Sequence, residues 1–414
     1  MVEGISERIR SELSCLRYLV KGNVAVLTLT WILFGIGHAL VSPLFSRYIK
    51  MLGAGDFEVS LVRMMGLIAT TIALIPGGYL TDKLGRRKII VPFTFVIVSF
   101  SFIYAIVPDW KTLLIIWFID SLFHFYTPAL AVVLIDSLPP QVRARGLVFS
   151  FLIPNIPWFF FPPIGGYLSE IYGVNGIRLA YVIDGCIGLI AAFIRLKLLK
   201  ETLPETTATS LPGFKAVIGS YRNIIKLAAE LPTNIKMLLI CCIFIIPYPM
   251  VFLETYGIIF AEEYLGINRL SYGAFISMSM LFSTIALIFI LPFLDLYPRK
   301  YLAAIPFLLM FFAYTLLYVR RDPLSLLVLM TIEQASIVVS GSAIQAYVGD
   351  HTSIDMRGRV IALVRVVRVL GLSIANPIIG FLYSMLIPGD PYPAVMACIL
   401  TSIVGATFLL TVLK

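Results

Sequence analysis

The sequence predicts an all-α integral membrane protein: twelve membrane-spanning helices arranged in two pseudo-symmetric six-helix bundles. Three observations lead there, namely a scarcity of charge, a series of apolar runs of spanning length, and an internal repeat. Charged residues make up 13% of the chain and hydrophobic ones 59%, whereas a soluble domain carries about 25% charge. At a mean hydropathy of +0.96 the chain cannot clothe itself in wetted side chains. Lipid must be the solvent for most of it.

A spanning helix needs about 20 mostly apolar residues, because the hydrocarbon core is about 30 Å thick. Runs of that size fall near 24–46, 58–80, 89–107, 112–137, 146–169 and 179–199, and then near 237–260, 271–294, 301–319, 324–348, 360–386 and 393–413. Ahead of them, residues 1–22 mix Glu3, Glu7, Arg8, Arg10, Glu12, Arg17 and Lys21 with single apolar residues and have no small-residue cleavage site. They read as a lead-in segment rather than a signal peptide. Residues 200–236 form the long polar stretch of the chain, with prolines, threonines and basic residues, and read as a linker with a surface helix near 213–230. The expected organisation is a lead-in at 1–22, a bundle at 23–199, a linker at 200–236 and a second bundle at 237–414.

Lys and Arg set the orientation. With the N-terminus inside, roughly 22 of the 32 Lys and Arg fall on the cytoplasmic side, the excess that the positive-inside rule requires. Both termini and the linker are then cytoplasmic, in a multi-pass protein of the cytoplasmic membrane. Arg320 and Arg321 are the exception and fall outside. The net charge of +9 sits in short loops between apolar runs, so it points to topology and excludes nucleic acid as the partner. The five cysteines (Cys15, Cys186, Cys241, Cys242 and Cys398) have no metal-like spacing and read as small packing residues.

The repeat is visible at a shift of about 213 positions. Asp82 and Arg86 after the second run meet Asp295 and Arg299 after the eighth, and Asp120 in the fourth meets Glu333 in the tenth. Within a residue of that shift, Asp136 meets Asp350, Arg145-Gly146 meets Arg357-Gly358, and Gly166 meets Gly380. Two related six-helix bundles around a central cavity follow from this pattern.

Residues 78–88, GYLTDKLGRRK, carry Gly78, Leu80, Asp82, Gly85, Arg86 and Arg87 at the spacing of a known signature loop. The stretch resembles the loop between helices 2 and 3 of the major facilitator superfamily of secondary transporters. Asp295, Leu296, Tyr297, Pro298, Arg299 and Lys300 are similar to a degraded second copy. On its own physics, a glycine near a helix end lets a neighbour approach, and an aspartate beside arginines forms a charge-assisted cluster. The resemblance implies more: a cytoplasmic gate in which this cluster and Asp136 latch the two bundles, with Asp82 facing Gly358 at the start of helix 11. Arg145, Asp295, Arg299, Asp350 and Arg357 belong to the same expected gate.

Ionisable groups near the bilayer midplane are costly and default to functional candidates. In the fourth run Asp120, His124 and Thr127 share a face by i, i+4, i+7 spacing, with Asp120 roughly 14 Å deep. Glu333, Ser336 and Ser340 form a similar stripe in the tenth run. Arg365, Arg368, Leu372 and Asn376 define a face of the eleventh. The seventh run is interrupted by Pro247 and Pro249 and carries Glu254, the first carries Trp31 and His38, the second Arg63, and the fifth Asn155. In one reading Asp120 and Glu333 flank the cavity and bind a proton, a cation or a basic substrate group, while Arg365 or Arg368 binds an anionic group or releases the proton by switching partners. In the other, the acids pair with the arginines and neutralise them.

Many proton-coupled members of the resembled family carry an arginine where Asp120 stands and a glycine where His124 stands. Their exporter signature in helix 5 survives here only as Pro162 to Gly166, with Phe161 at an expected glycine. The sequence contains no phosphate-cradling lysine loop, metal pattern or catalytic arrangement, so no cofactor and no enzyme activity are expected. The expected function is alternating-access transport of a small-molecule substrate by a monomer in the lipid bilayer, coupled to an ion, the proton being favoured. Export of amphipathic or cationic compounds leads import of a sugar or organic acid, and a transporter-shaped receptor is the remaining class.

Overall fold

The computed structural model describes residues 20–139, 146, 150, 152–203, 219, 222, 226–290, 296–352 and 354–413. Among these residues eleven helices are long and apolar enough to cross a membrane, and no strand occurs. In the first half they are α1 (Gly22–Met51), α2 (Asp56–Leu84), α3 (Arg86–Ile106), α4 (Trp110–Ser137) and α6 (Val174–Leu198). In the second they are α7 (Thr233–Tyr264), α8 (Arg269–Ile290), α9 (Arg299–Arg320), α10 (Pro323–Asp350), α11 (Ile354–Ser384) and α12 (Tyr392–Val412). Between α4 and α6, α5 is the helix Pro162–Tyr172, entered through a 3₁₀ segment at Ile153–Phe159. Most of 140–151 lies outside the described residues, as do the lead-in at 1–19 and most of the linker. Several helices begin earlier than their apolar runs because polar residues occupy the first turn, as Asp56, Arg86 and Arg299 do.

Three spans are interrupted, each beside a proline. In α1 a 3₁₀ turn at Ser42–Leu44 contains Pro43. In α4 a 3₁₀ turn at His124–Tyr126 precedes Pro128. In α7 the helix breaks at Pro247 and continues through a π-helical turn at Phe252–Tyr256. Proline removes a backbone donor and clashes with the preceding turn, so these breaks follow from the sequence. The break in α4 leaves the expected stripe adjacent: His124 stands 3.6 Å from Asp120 and lines one cavity with it, and lines another with Thr127.

The two halves pack alike. In the first, α1 lies on α6, α3 on α6 and α2 on α4; in the second, α7 lies on α12, α9 on α12 and α8 on α10. Among the described residues the most extensive contacts between the halves are two crossings, α2 on α11 and α5 on α8, which the repeat makes equivalent. Glycines permit both. A Cβ on Gly166 of α5 would collide with the carbonyl of Arg269 on α8, and one on Gly380 of α11 would collide with Ser60 on α2. Gly166 and Gly380 are the pair matched by the repeat. Gly273 of α8 presses in the same way against the carbonyl of Pro162. Large apolar side chains such as Phe289, Phe312 and Leu400 are exposed on the perimeter, where lipid would cover them.

One end of the molecule is closed by ion pairs between the halves. Arg47 near the end of α1 reaches Glu262 at 3.0 Å and Glu263 at 3.3 Å near the end of α7. Lys50 bridges Glu263 and Asp56, both at 2.7 Å. Arg269 donates to Glu262 at 2.8 Å and to the Ser169 carbonyl at 2.8 Å, and its backbone N–H donates to Glu170 at 3.0 Å. At the same end Arg320 pairs with Asp322 at 2.7 Å, and Arg321 lies over the Tyr392 ring at 3.9 Å. The arginines that broke the inside-positive pattern are thus occupied locally.

Charge reversal at this end has a defined expectation. Glu263→Lys should open it, so that a cysteine at position 42 in the cavity reacts faster with a bulky aqueous maleimide added from that side. Each half-exposed pair contributes about 0.2–1 kcal/mol, so the expected gain is a few-fold. Adding Lys50→Glu should reverse most of it, and an unchanged labelling rate in Glu263→Lys would refute the closure.

Candidate functional site

Three carboxylates stand at one depth. Asp120, Asp184 and Glu333 each lie ten residues beyond the first residue of their spans, Trp110, Val174 and Pro323. At 1.5 Å per residue that is about 15 Å along the helix, near mid-membrane. Their exposures are 4%, 7% and 5%. Asp184 is absent from the sequence expectations. An acid in the middle of the sixth apolar run was its signal, but it has no neighbouring polar stripe, and the repeat sets it against Ala397 and Cys398.

Glu333 lines a cavity of about 390 Å³ between the halves. Ser42, Arg63 and Trp158 border it from the first half, and Glu254, Tyr272 and Arg368 from the second. Among the described residues neither Glu333 nor Arg368 has an ion pair, although both line this space. In this conformation, then, the acid and the arginine face the same space without a salt bridge between them.

Asp120 lines a second cavity, of about 150 Å³, inside the first half. It is shared with His38, Ser101, Tyr104, His124 and Asp184. Tyr104 donates to Oδ2 of Asp120 at 2.7 Å and Ser101 donates to Oδ2 of Asp184 at 2.7 Å. Nδ1 of His124 is 2.9 Å from the backbone carbonyl of Asp120 and 3.6 Å from Oδ1. Arg63 borders both cavities. Its guanidinium donates to Oγ of Ser46 at 3.1 Å and to the Glu254 carbonyl at 3.1 Å, and it stacks on Phe45 at 4.8 Å. The two cavities together hold four carboxylates (Asp120, Asp184, Glu254, Glu333) against two guanidinium groups (Arg63, Arg368).

The other candidates are dispersed. Arg365 borders a separate cavity of about 200 Å³ with His124 and Thr127, where α2, α4 and α11 meet. Asn376 is buried and accepts from Thr255 at 2.7 Å, so it braces the π-helical turn of α7 instead of facing the central space. Trp31 and Asn155 border none of these cavities; Asn155 is exposed, and Trp31 packs against an apolar cluster of the first half. Arg195, fully buried in α6, was also overlooked. It donates to Thr30 at 3.1 Å and Thr94 at 3.0 Å and lies over Phe34 at 5.0 Å, which ties α6 to α1 and α3.

At the end opposite the ion-paired one, the signature loop is anchored within its own half. Gly85 has φ +96, a conformation that favours glycine, and it turns the chain from α2 into α3. Arg86 pairs with Asp136 at the end of α4 and donates to Thr202 at 2.8 Å. Arg87 donates to the carbonyls of Leu199 at 2.7 Å and Leu196 at 2.8 Å. In the second half Arg299 stands 3.8 Å from Asp350, the counterpart given by the repeat. Gly78 and Asp82 lie in α2 and Arg357 and Gly358 in α11, but their surroundings fall outside the described residues, as do Arg145 and Asp295 altogether. The expected contact of Asp82 with the second bundle is therefore outside them as well.

Glu201, which the sequence reading passed over, caps α3 from beyond the end of α6. The backbone N–H groups of Arg86 and Arg87 donate to its two oxygens at 3.1 and 3.0 Å. Partial burial works against its charge, but these bonds and those from Leu203 and Thr202 outweigh it and hold the carboxyl below its ordinary range. A depressed carboxyl stabilises the fold above its unfolded pKa and loses that contribution as pH falls through the folded one. Glu201→Gln is expected to cost no more than about 1 kcal/mol after solvent screening, and the cost should vanish in acid. Equal melting temperatures for the two proteins at neutral pH would refute the cap.

Comparison with known proteins agrees with this architecture. A family model described as Major Facilitator Superfamily matches residues 27–264. An uncharacterized MFS-type transporter of Methanocaldococcus jannaschii is 28% identical over 181 residues, 43% of this chain and 46% of that protein. The quinolone resistance protein NorA of Staphylococcus aureus is 24% identical over 188 residues, 45% of this chain and 47% of that protein. The chain thus spans about half the length of the curated relatives it matches. The fold is like that of the nucleoside transporter NupG, at a TM-score of 0.70 and 15% identity over 94% of this chain and 97% of that one. It is also like that of a D-xylose-proton symporter, at 0.71 and 13% over 93% and 96%. With more than half its length matched by that model, the chain belongs to the major facilitator superfamily.

Proposed function

We propose that this protein is an ion-coupled secondary transporter that exports small amphipathic or cationic compounds by alternating access. The observation that carries the reading is Glu333, a buried carboxylate without an ion pair among the described residues, facing a cavity between the two halves. A buried charge left unanswered by the protein is costly, so the site favours a mobile positive charge. The excess of carboxylates over guanidinium groups across the two adjoining cavities supports binding of positive charge, as solute or as coupling ion. The likeness of 188 residues of the chain to a quinolone resistance protein supports export. We assign the proton as the coupling ion, Glu333 as a group that carries or exchanges it, and the Arg86–Asp136 and Arg299–Asp350 pairs to the cytoplasmic gate. Pairing of the halves at the opposite end then corresponds to a state closed to the outside.

The proposed setting is the cytoplasmic membrane, with a monomer whose bundles run 23–199 and 237–414 and whose termini and 200–236 linker are cytoplasmic. Lys and Arg asymmetry supports this orientation. A second reading, import of an organic acid, is favoured by one observation: Arg63 and Arg368 both line the central cavity and could clamp a carboxylate. A transporter-shaped receptor would bind solute without exchanging it.

Proteoliposomes separate these readings. The wild type should accumulate a fluorescent amphipathic cation such as ethidium under a proton gradient, and should exchange it without one. Glu333→Gln should lower accumulation about tenfold or more while exchange persists. Loss of exchange as well would make Glu333 a substrate contact, and a wild type that binds without exchanging would be a receptor. Recovery of accumulation when Arg368→Gln is added would refute the proton role and leave a structural charge pair. For the orientation, a cysteine in the linker should react with an impermeant maleimide only from the cytoplasmic side.

A further inference from the structure

We propose that Asp120 and Asp184 form a monovalent-cation site inside the first half, separate from the substrate cavity that holds Glu333. The proposal rests on the transport reading above for its role in coupling, and on geometry for its existence. The two acids come from α4 and α6, at equal depth, and line one cavity of about 150 Å³. Ser101 and Tyr104, one helical turn apart on α3, each donate to one of them at 2.7 Å. Residues at i and i+3 share a helix face, so both hydroxyls are presented from α3 to the one cavity that the two carboxylates line. Both donors bind Oδ2. Oδ1 of Asp120 is buried and has no hydrogen-bond partner among the described residues. Oδ1 of Asp184 receives none there either, and it lies where a Cβ on Gly37 of α1 would stand.

The groups facing the pair come from every element around the cavity: His38 of α1, Arg63 of α2, Tyr104 of α3, His124 of α4 and Tyr181 of α6. Arg63 is the single fixed cation among them, and its hydrogen bonds go to Ser46 and the Glu254 carbonyl. Two carboxylates against one guanidinium leave a deficit of one positive charge in a low-dielectric site. Uncompensated buried charge is expensive, so the cavity selects one mobile monovalent cation, a proton or a sodium-sized ion. Protonation of His38 or His124 would compete with it. The second half has no equivalent pair, since the repeat sets Asp184 against Ala397 and Cys398, so the site is one per molecule.

Thermal unfolding of the purified full chain tests the site without any substrate. The wild type is melted in sodium chloride and in choline chloride at alkaline pH, and again across a descending pH series. A rise of several degrees with sodium over choline identifies sodium; a rise on acidification alone identifies the proton. Either rise should vanish in Asp184→Asn, persist in Glu333→Gln, and return in Asp184→Glu, which separates a lost site from a damaged fold. Asp184→Asn behaving like the wild type would overturn the proposal, as would a response abolished by Glu333→Gln alone. In proteoliposomes Asp184→Asn should lose gradient-driven ethidium accumulation and keep exchange. If the wild type moves no ethidium, the transport reading fails, and the melting response still decides the cation site.

Discussion

A charge placed in hydrocarbon has to be answered by the protein around it, and this constraint organises the interior of the molecule. Arg195 is answered by hydroxyls and an aromatic face, and it holds three helices together. Arg63 is answered by a hydroxyl, a carbonyl and Phe45. Neither has a carboxylate within ion-pairing distance among the described residues, so these two buried arginines are satisfied without consuming an acid. Asp120, Asp184 and Glu333 are left facing cavities. Neutral polar groups thus answer the two buried arginines, while three buried carboxylates line cavities without an arginine or lysine partner among the described residues.

The same economy appears in the packing. Lipid gives helices little hydrophobic reason to associate, so small residues must let backbones approach closely. The crossings of α5 on α8 and α2 on α11 depend on Gly166, Gly273 and Gly380, whose faces meet backbone or a short serine directly. These contacts are related by the repeat, so the two halves meet through two copies of one design. An interface built on a pair of equivalent pivots suits a rocking motion, in which one end closes as the other parts.

Much of the fold was legible because it follows from one-dimensional rules. Run length gave the spans, Pro247 and Pro249 gave the break in α7, and the shift of about 213 positions placed Gly166 and Gly380 as counterparts before either had a contact; the breaks beside Pro43 and Pro128 were not foreseen. Charge pairs at the signature-loop end were legible for the same reason: Arg86 with Asp136 and Arg299 with Asp350 repeat each other. The site was harder to read. Asp184 looked like an isolated acid, because its partner Ser101 lies 83 positions away in the chain. Asn376 looked like a member of a polar face, but its acceptor role toward Thr255 depends on a π-helical turn that periodicity does not foresee. A face drawn on an ideal helix does not foresee what a neighbouring, non-ideal helix will offer it.

The ion pairs that join α1 to α7 have partly solvent-exposed side chains. Charges in such a setting are screened over about 8 Å at physiological ionic strength and over shorter distances in brine. The buried acids, shielded by hydrocarbon, feel little of this. Added salt would weaken the clasp at one end while leaving the charges that line the midplane cavities nearly untouched. The ionic strength of the medium thereby acts on the two regions unequally, loosening the rim and sparing the middle.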